Sequence, residues 1–220
     1  MQNFWTRPRN GLILGILVLG SMTAITRSQE RTTASSRTTA ETPSAPLAPQ
    51  YTESGELKLP EDFSTWVFVG SNLGIEYRDD SAPADAPEKA DTSHLKSANF
   101  HNVYLNPEAF RHFQKTGEFP DKTVLILDVY KAEEGAPKSV VSRGLFPGKR
   151  QEIAVAVKNS ARPGGVKANW AYYDFPPDQK TAKPFPEKAC YDCHLQHAQT
   201  DNVWVQFYPT LRALQAQTRK

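Results

Sequence analysis

Apolar positions recur with a regular rhythm in some parts of this chain and are almost absent from others. Residues 11–25, "GLILGILVLGSMTAI", form an uncharged, mostly apolar run behind a start that carries Arg7 and Arg9 and no acid. A basic n-region followed by an apolar run shorter than the roughly 20 residues of a spanning helix predicts an export signal over residues 1–28. The alternative is a retained N-terminal membrane anchor, because "SMTAITRSQ" has no clean small-x-small cleavage site. Residues 29–55, rich in Thr, Ser, Ala and Pro with little to bury, read as a disordered tether. The rhythm returns near Leu57 and lasts to about Leu214, so one folded domain is expected over residues 56–216.

Within that domain "STWVFVG" (64–70) is β-branched and aromatic and closes on Gly70, which predicts a strand. The polar stretch from Arg78 to Lys89, with Pro83 and Pro87, predicts a loop. "FHNVYL" (100–105) alternates and puts His101, Val103 and Leu105 on one side. Asn106 as cap, Pro107 at the first helical position and Gly117 as stop then predict a short helix. "TVLILDVY" (123–130) is a strand apolar on both faces, and "EIAVAVKN" (152–159) is a strand whose Ala154 and Ala156 share a face. Two small residues there leave room for something flat. "NWAYYDF" (169–175) is a further strand, the Pro-rich "PPDQKTAKPFPE" is a turn, and Pro209 starts or kinks a final helix in "DNVWVQFYPTLRALQAQ". Strands first and helices last predict an α+β domain on an antiparallel sheet, with a few helices.

Composition adds two points. The 39% hydrophobic content suffices for a core. Without Arg7, Arg9 and Arg27 the 26 basic residues fall to 23 against 24 acidic ones, which argues against a nucleic-acid partner.

The chemistry concentrates in "EKACYDCHLQH" (187–197), a C-terminal segment read as helical, which holds both cysteines and two of the five histidines. Cys190-x-x-Cys193-His194 is the attachment pattern of a c-type haem: two thiols placed to add to two vinyl groups, then a histidine placed as proximal iron ligand. A disulfide between Cys190 and Cys193 is an alternative, although redox pairs of that spacing sit near the start of a βαβ unit. Zinc on Cys190, Cys193, His194 and His197 is another, although it crowds four ligands onto residues 190–197. The only methionines, Met1 and Met22, lie in the export segment, so methionine cannot be the sixth iron ligand after cleavage. Among the other histidines, His94 lies in a loop, His112 on the capped helix and His197 close behind His194. His101, on an apolar strand face, is the remaining distal candidate. The expectation is an open or loosely capped iron that binds a small molecule, with a haem electron carrier as the rival.

"WVFVG", "VYLNPEAFRHFQKTGEFPDKTVLILDVY", "NWAYYDF", "CYDCH" and "QTDNVWVQFYPTLRA" together resemble, in order and spacing, the successive blocks of cytochrome P-460 and its relative cytochrome c-prime-beta. The resemblance implies an exported, periplasmic, β-rich protein with one covalent haem c. It also implies a homodimer with one open haem face, which binds nitric oxide or oxidises hydroxylamine and passes electrons to a redox partner. It makes Cys190 and Cys193 the attachment points and His194 the proximal ligand. The catalytic members carry a lysine bonded to the haem ring, and its position falls on Leu127. A distal arginine of the family falls on His101 and a distal glutamate at or near Ala154. Lys122 and Lys131 are each displaced from the lysine position. These replacements imply a mostly apolar pocket, with Phe68, Phe100 and Phe146 as candidate caps, better suited to a diatomic gas than to hydroxylamine.

Overall fold

The computed structural model describes residues 49–75, 93, 95–135, 140, 143–160 and 169–218. The export segment, residues 29–48 of the tether, the loop over 78–89 and His94 lie outside the described residues.

Five strands, β2 (Val67–Leu73), β3 (Asn99–Leu105), β4 (Val124–Glu134), β5 (Leu145–Lys158) and β6 (Trp170–Phe175), form an antiparallel sheet in sequence order, with β4 in the middle. Successive residues of a strand point to opposite faces, so the register sorts the side chains into two sets. The back set, including Val124, Ile126, Ile153, Val155, Val157, Tyr173 and Phe175, forms one buried cluster with Phe63 and Trp66. The small pair β1 (Leu57–Lys58) and β7 (Thr181–Ala182) adds Leu57 and Ala182 to the same cluster. The front set includes Val103, Leu105, Leu125 and Trp170 and packs with Ala109, Phe113, Phe119, Val203, Val205 and Leu211.

Those last residues come from the helical side: α1 (Pro107–Thr116), α3 (Pro209–Thr218) and the segments beside them, with α2 (Glu187–His197) between β7 and α3. The α+β architecture with a helical C-terminal cysteine segment is therefore the one expected. Pro209 begins α3 rather than kinking it. Gly70 on β2 lets this helix come close, because a Cβ there would stand 3.2 Å from Pro209 Cδ and Tyr208 Cα.

α1 starts at Pro107 and stops at Gly117, which takes a left-handed φ of 75° and donates its N–H to Phe113 O at 2.8 Å. Asn106 departs from its expected role: its side chain does not cap the helix. Its Oδ1 instead accepts the Val124 N–H at 2.9 Å, which ties the helix entrance to β4. Several strand limits also differ from expectation. Phe63–Thr65 closes a 3-10 turn and delays β2. β4 and β5 run on to Glu134 and back from Leu145 as a long hairpin arm, with register shifts near Tyr130.

Candidate haem-binding site

α2 is a helix that buries none of its residues fully. Cys190 and Cys193, three apart, fall on one side of it, and both thiols are half-buried and unjoined. Partial burial and then the neighbouring Cys193 push the Cys190 thiol up from its ordinary value. Tyr191 packs into the front cluster, and the Tyr172 ring on β6 lies 4.6 Å from the His194 ring.

The imidazole of His194 has two polar contacts that agree on its tautomer. Nδ1 lies 2.8 Å from the carbonyl oxygen of Asn202, which can only accept, so Nδ1 carries the proton. Nε2 then holds the lone pair and receives the indole N–H of Trp204 at 3.3 Å. Burial lowers the pKa of His194, against an upward pull from the Asn202 hydrogen bond. A neutral imidazole with a basic Nε2 is the form that ligates iron. Ligation there requires the long Trp204 contact to give way.

On the front face the strand register sets residues in rows. Val103, Leu127, Ala154 and Asp174 stand side by side across four strands. The next row toward α1 holds Leu105, Leu125, Ala156 and Tyr172, and the row on the other side holds Asn72, His101, Val129 and Glu152. Leu127 and Ala154 are only half-buried although they sit mid-sheet, while Ile126 and Val155 beside them on the back are fully buried. The helices thus leave the centre of this face partly uncovered, where a small residue stands. His101 is half-buried beside that opening; its Nδ1 is 3.1 Å from Asn72 Oδ1, and burial lowers its pKa.

The other sequence candidates fall elsewhere. His112 is exposed on α1, and His197 is exposed at the end of α2. Phe68 packs edge-on against Tyr104 on the back side, and Phe100 shares the Tyr104 side of β3, so neither can cap the front. Phe146 belongs to the outer hairpin arm opposite Glu133. Lys122 sits in the turn before β4, and Lys131 is exposed opposite Asn99.

Two acids on the front face escaped the sequence reading. Glu152 is accessible, yet partial burial and then the charge of Asp174 push its carboxyl above the usual carboxylate range. Among the described residues Asp174 Oδ1 is buried with no hydrogen-bond partner, and burial drives the pKa of the neighbouring Tyr172 hydroxyl well above the ordinary phenol value. Period-two spacing from Ala154 and Tyr172 would have put both acids on this face.

The residues present fit a haem. Two free thiols on one side of α2 and a neutral imidazole with its lone pair on Nε2 lie on a helix that packs against β6, where His194 meets Tyr172. The same sheet face carries the half-buried Leu127 and Ala154. Among the described residues no three His, Cys, Asp or Glu side chains converge as a metal cage. No curated protein matches the chain. The family model described as Cytochrome P460 matches residues 60–205, well over half of the chain and all five strands of the large sheet. By that match the chain belongs to the cytochrome P460 family and is a haem protein.

Proposed function

We propose that this is an exported c-type mono-haem protein that binds nitric oxide, or a diatomic ligand like it, on the side of the iron opposite His194. Cys190 and Cys193 hold one haem covalently and His194 supplies the proximal nitrogen. Bound there, the haem supplies an iron with one open coordination position. The observation that carries the reading is the apolar row Val103, Leu127, Ala154, in which Leu127 and Ala154 fall where the resemblance implies a haem-linked lysine and a glutamate that would serve oxidation. Leu127 cannot form a bond to the ring, and Ala154 cannot accept a proton. His101 stays neutral because burial lowers its pKa. With Nδ1 directed at Asn72 Oδ1, its Nε2 is an acceptor and gives no hydrogen bond to a bound diatomic.

A second reading, oxidation of hydroxylamine, is favoured by Glu152 and Asp174, which place carboxylates on the same sheet face. It predicts electron release to an acceptor when hydroxylamine is added; the nitric-oxide reading predicts none. A haem electron carrier predicts a six-coordinate low-spin spectrum indifferent to nitric oxide. The basic and apolar N-terminus supports a periplasmic location, tethered if the segment is retained. A homodimer and a redox partner protein complete the proposal; light scattering of the haem-loaded protein tests the dimer.

A further inference from the structure

The carbonyl that holds His194 belongs to a turn with an unusual backbone. Asp201 and Asn202 have φ of 48° and 61°, and Thr200 and Val203 exchange backbone hydrogen bonds across them at 3.4 and 2.8 Å. Two successive positive-φ residues between paired neighbours make a type I′ arrangement, which Asp and Asn tolerate better than most side chains. The turn is clamped from three sides. Asp201 Oδ2 accepts Lys158 Nζ at 2.7 Å and its Oδ1 accepts Trp170 Nε1 at 3.1 Å. Lys158 Nζ is itself fixed by Phe119 O at 2.6 Å. Thr200 Oγ1 accepts the buried Gln215 Nε2 at 2.6 Å. The last tie runs back to the haem-motif helix, where Asn202 Nδ2 donates to Tyr191 O at 3.4 Å.

We propose that Asp201 is a positioning residue for His194. Held by Lys158 of β5 and Trp170 of β6, it locks the turn so that the Asn202 carbonyl accepts the hydrogen bond that the Nδ1–H donates. That hydrogen bond fixes the ring orientation and makes Nε2 a stronger donor to the iron. The inference rests on His194 being the proximal ligand. A more basic Nε2 strengthens the iron–nitrogen bond and favours the ferric state, so loosening the clamp weakens that bond and raises the reduction potential.

The test uses the protein purified with its haem from a haem-maturing host. Ferrous resonance Raman gives the iron–histidine stretching band, and redox titration gives the potential, for the native chain, Asp201→Ala, Asp201→Asn and Lys158→Met. The expected result is a lower band frequency and a higher potential in Asp201→Ala, with smaller shifts of the same sign in Asp201→Asn and Lys158→Met. Val157→Ala, a back-face cavity variant, lowers stability and moves neither reading. If Asp201→Ala does not accumulate, the other two variants decide. Unchanged band and potential in every clamp variant that folds would overturn the proposal. If instead the native chain has no iron–histidine band, the proximal assignment itself is lost, which is a different failure.

Discussion

The two faces of the five-stranded sheet are built from alternate residues of the same strands, yet they solve different problems. On the back, Ile126, Val155 and Val157 are 0%, 2% and 0% exposed. The buried Asp128 carboxylate there is matched by Arg150 Nε at 2.7 Å, Arg150 Nη2 at 3.0 Å and the Tyr130 hydroxyl at 3.0 Å. On the front, half-buried Leu127 and Ala154 stand between an Asp174 oxygen without a partner among the described residues and the half-buried His101. Among the described residues the back cluster is closed apart from the Trp66 Nε1, which has no partner, and the half-exposed Phe68 at its edge. The front, by contrast, keeps half-covered apolar residues at its centre beside the unpartnered Asp174 oxygen. An apolar group of haem size gains most on the second, since it covers surface the chain itself leaves wet.

Losing the haem anchors gives the largest effect expected. Cys190→Ala with Cys193→Ala should abolish covalent haem on a denaturing gel while far-ultraviolet circular dichroism still reports the sheet. Adjacent positions on β4 then separate the faces by stability. Ile126→Ala removes a fully buried back-face side chain and should cost about 3–4 kcal/mol in denaturant unfolding. Leu127→Ala, half-buried, should cost about 1–2 kcal/mol and change nitric oxide binding more than stability. Equal losses at the two positions would break the comparison. Arg150→Met leaves the buried Asp128 carboxylate with only Tyr130. It should cost about 2–3 kcal/mol, a figure reduced because the guanidinium is half in water, and leave the haem spectrum unchanged.

The smallest effect concerns pH. His101 has its pKa lowered by burial from 6.5, so the unfolded chain takes up its proton first as the solution is acidified. Its contribution to stability is present above 6.5 and is lost as pH falls through the lowered folded value. His101→Gln should therefore flatten the acid limb of the stability curve between those two values. An unchanged slope in urea unfolding across that range would remove His101 from the account.

Much of the local structure could be read from the chain because it is fixed by neighbours in sequence. Pro107, Gly117 and Pro209 mark helix limits through their own backbone restrictions, and alternation in 100–105 put His101, Val103 and Leu105 on one face. What escaped depends on distant pairing. β1 meets β7 across more than a hundred residues, and Thr181–Ala182 looked like part of a proline-rich turn. Asn106 had the right identity for a cap, but the Val124 N–H eighteen residues on competes for its oxygen. The arms of the β4–β5 hairpin project past the covered sheet and carry charge, so no apolar rhythm announced them. At the site the thiols and His194 were legible from their spacing. Glu152, Asp174 and the Asp201–Asn202 turn gain their meaning only from the register and from His194 lying beside them.

The most direct test of the central claim is the optical spectrum of the ferrous protein from a haem-maturing host, recorded with and without nitric oxide. The account predicts a covalently attached c-type haem with an open position whose Soret band moves when nitric oxide is added. A protein without covalent haem, or a low-spin spectrum that nitric oxide leaves untouched, would contradict it.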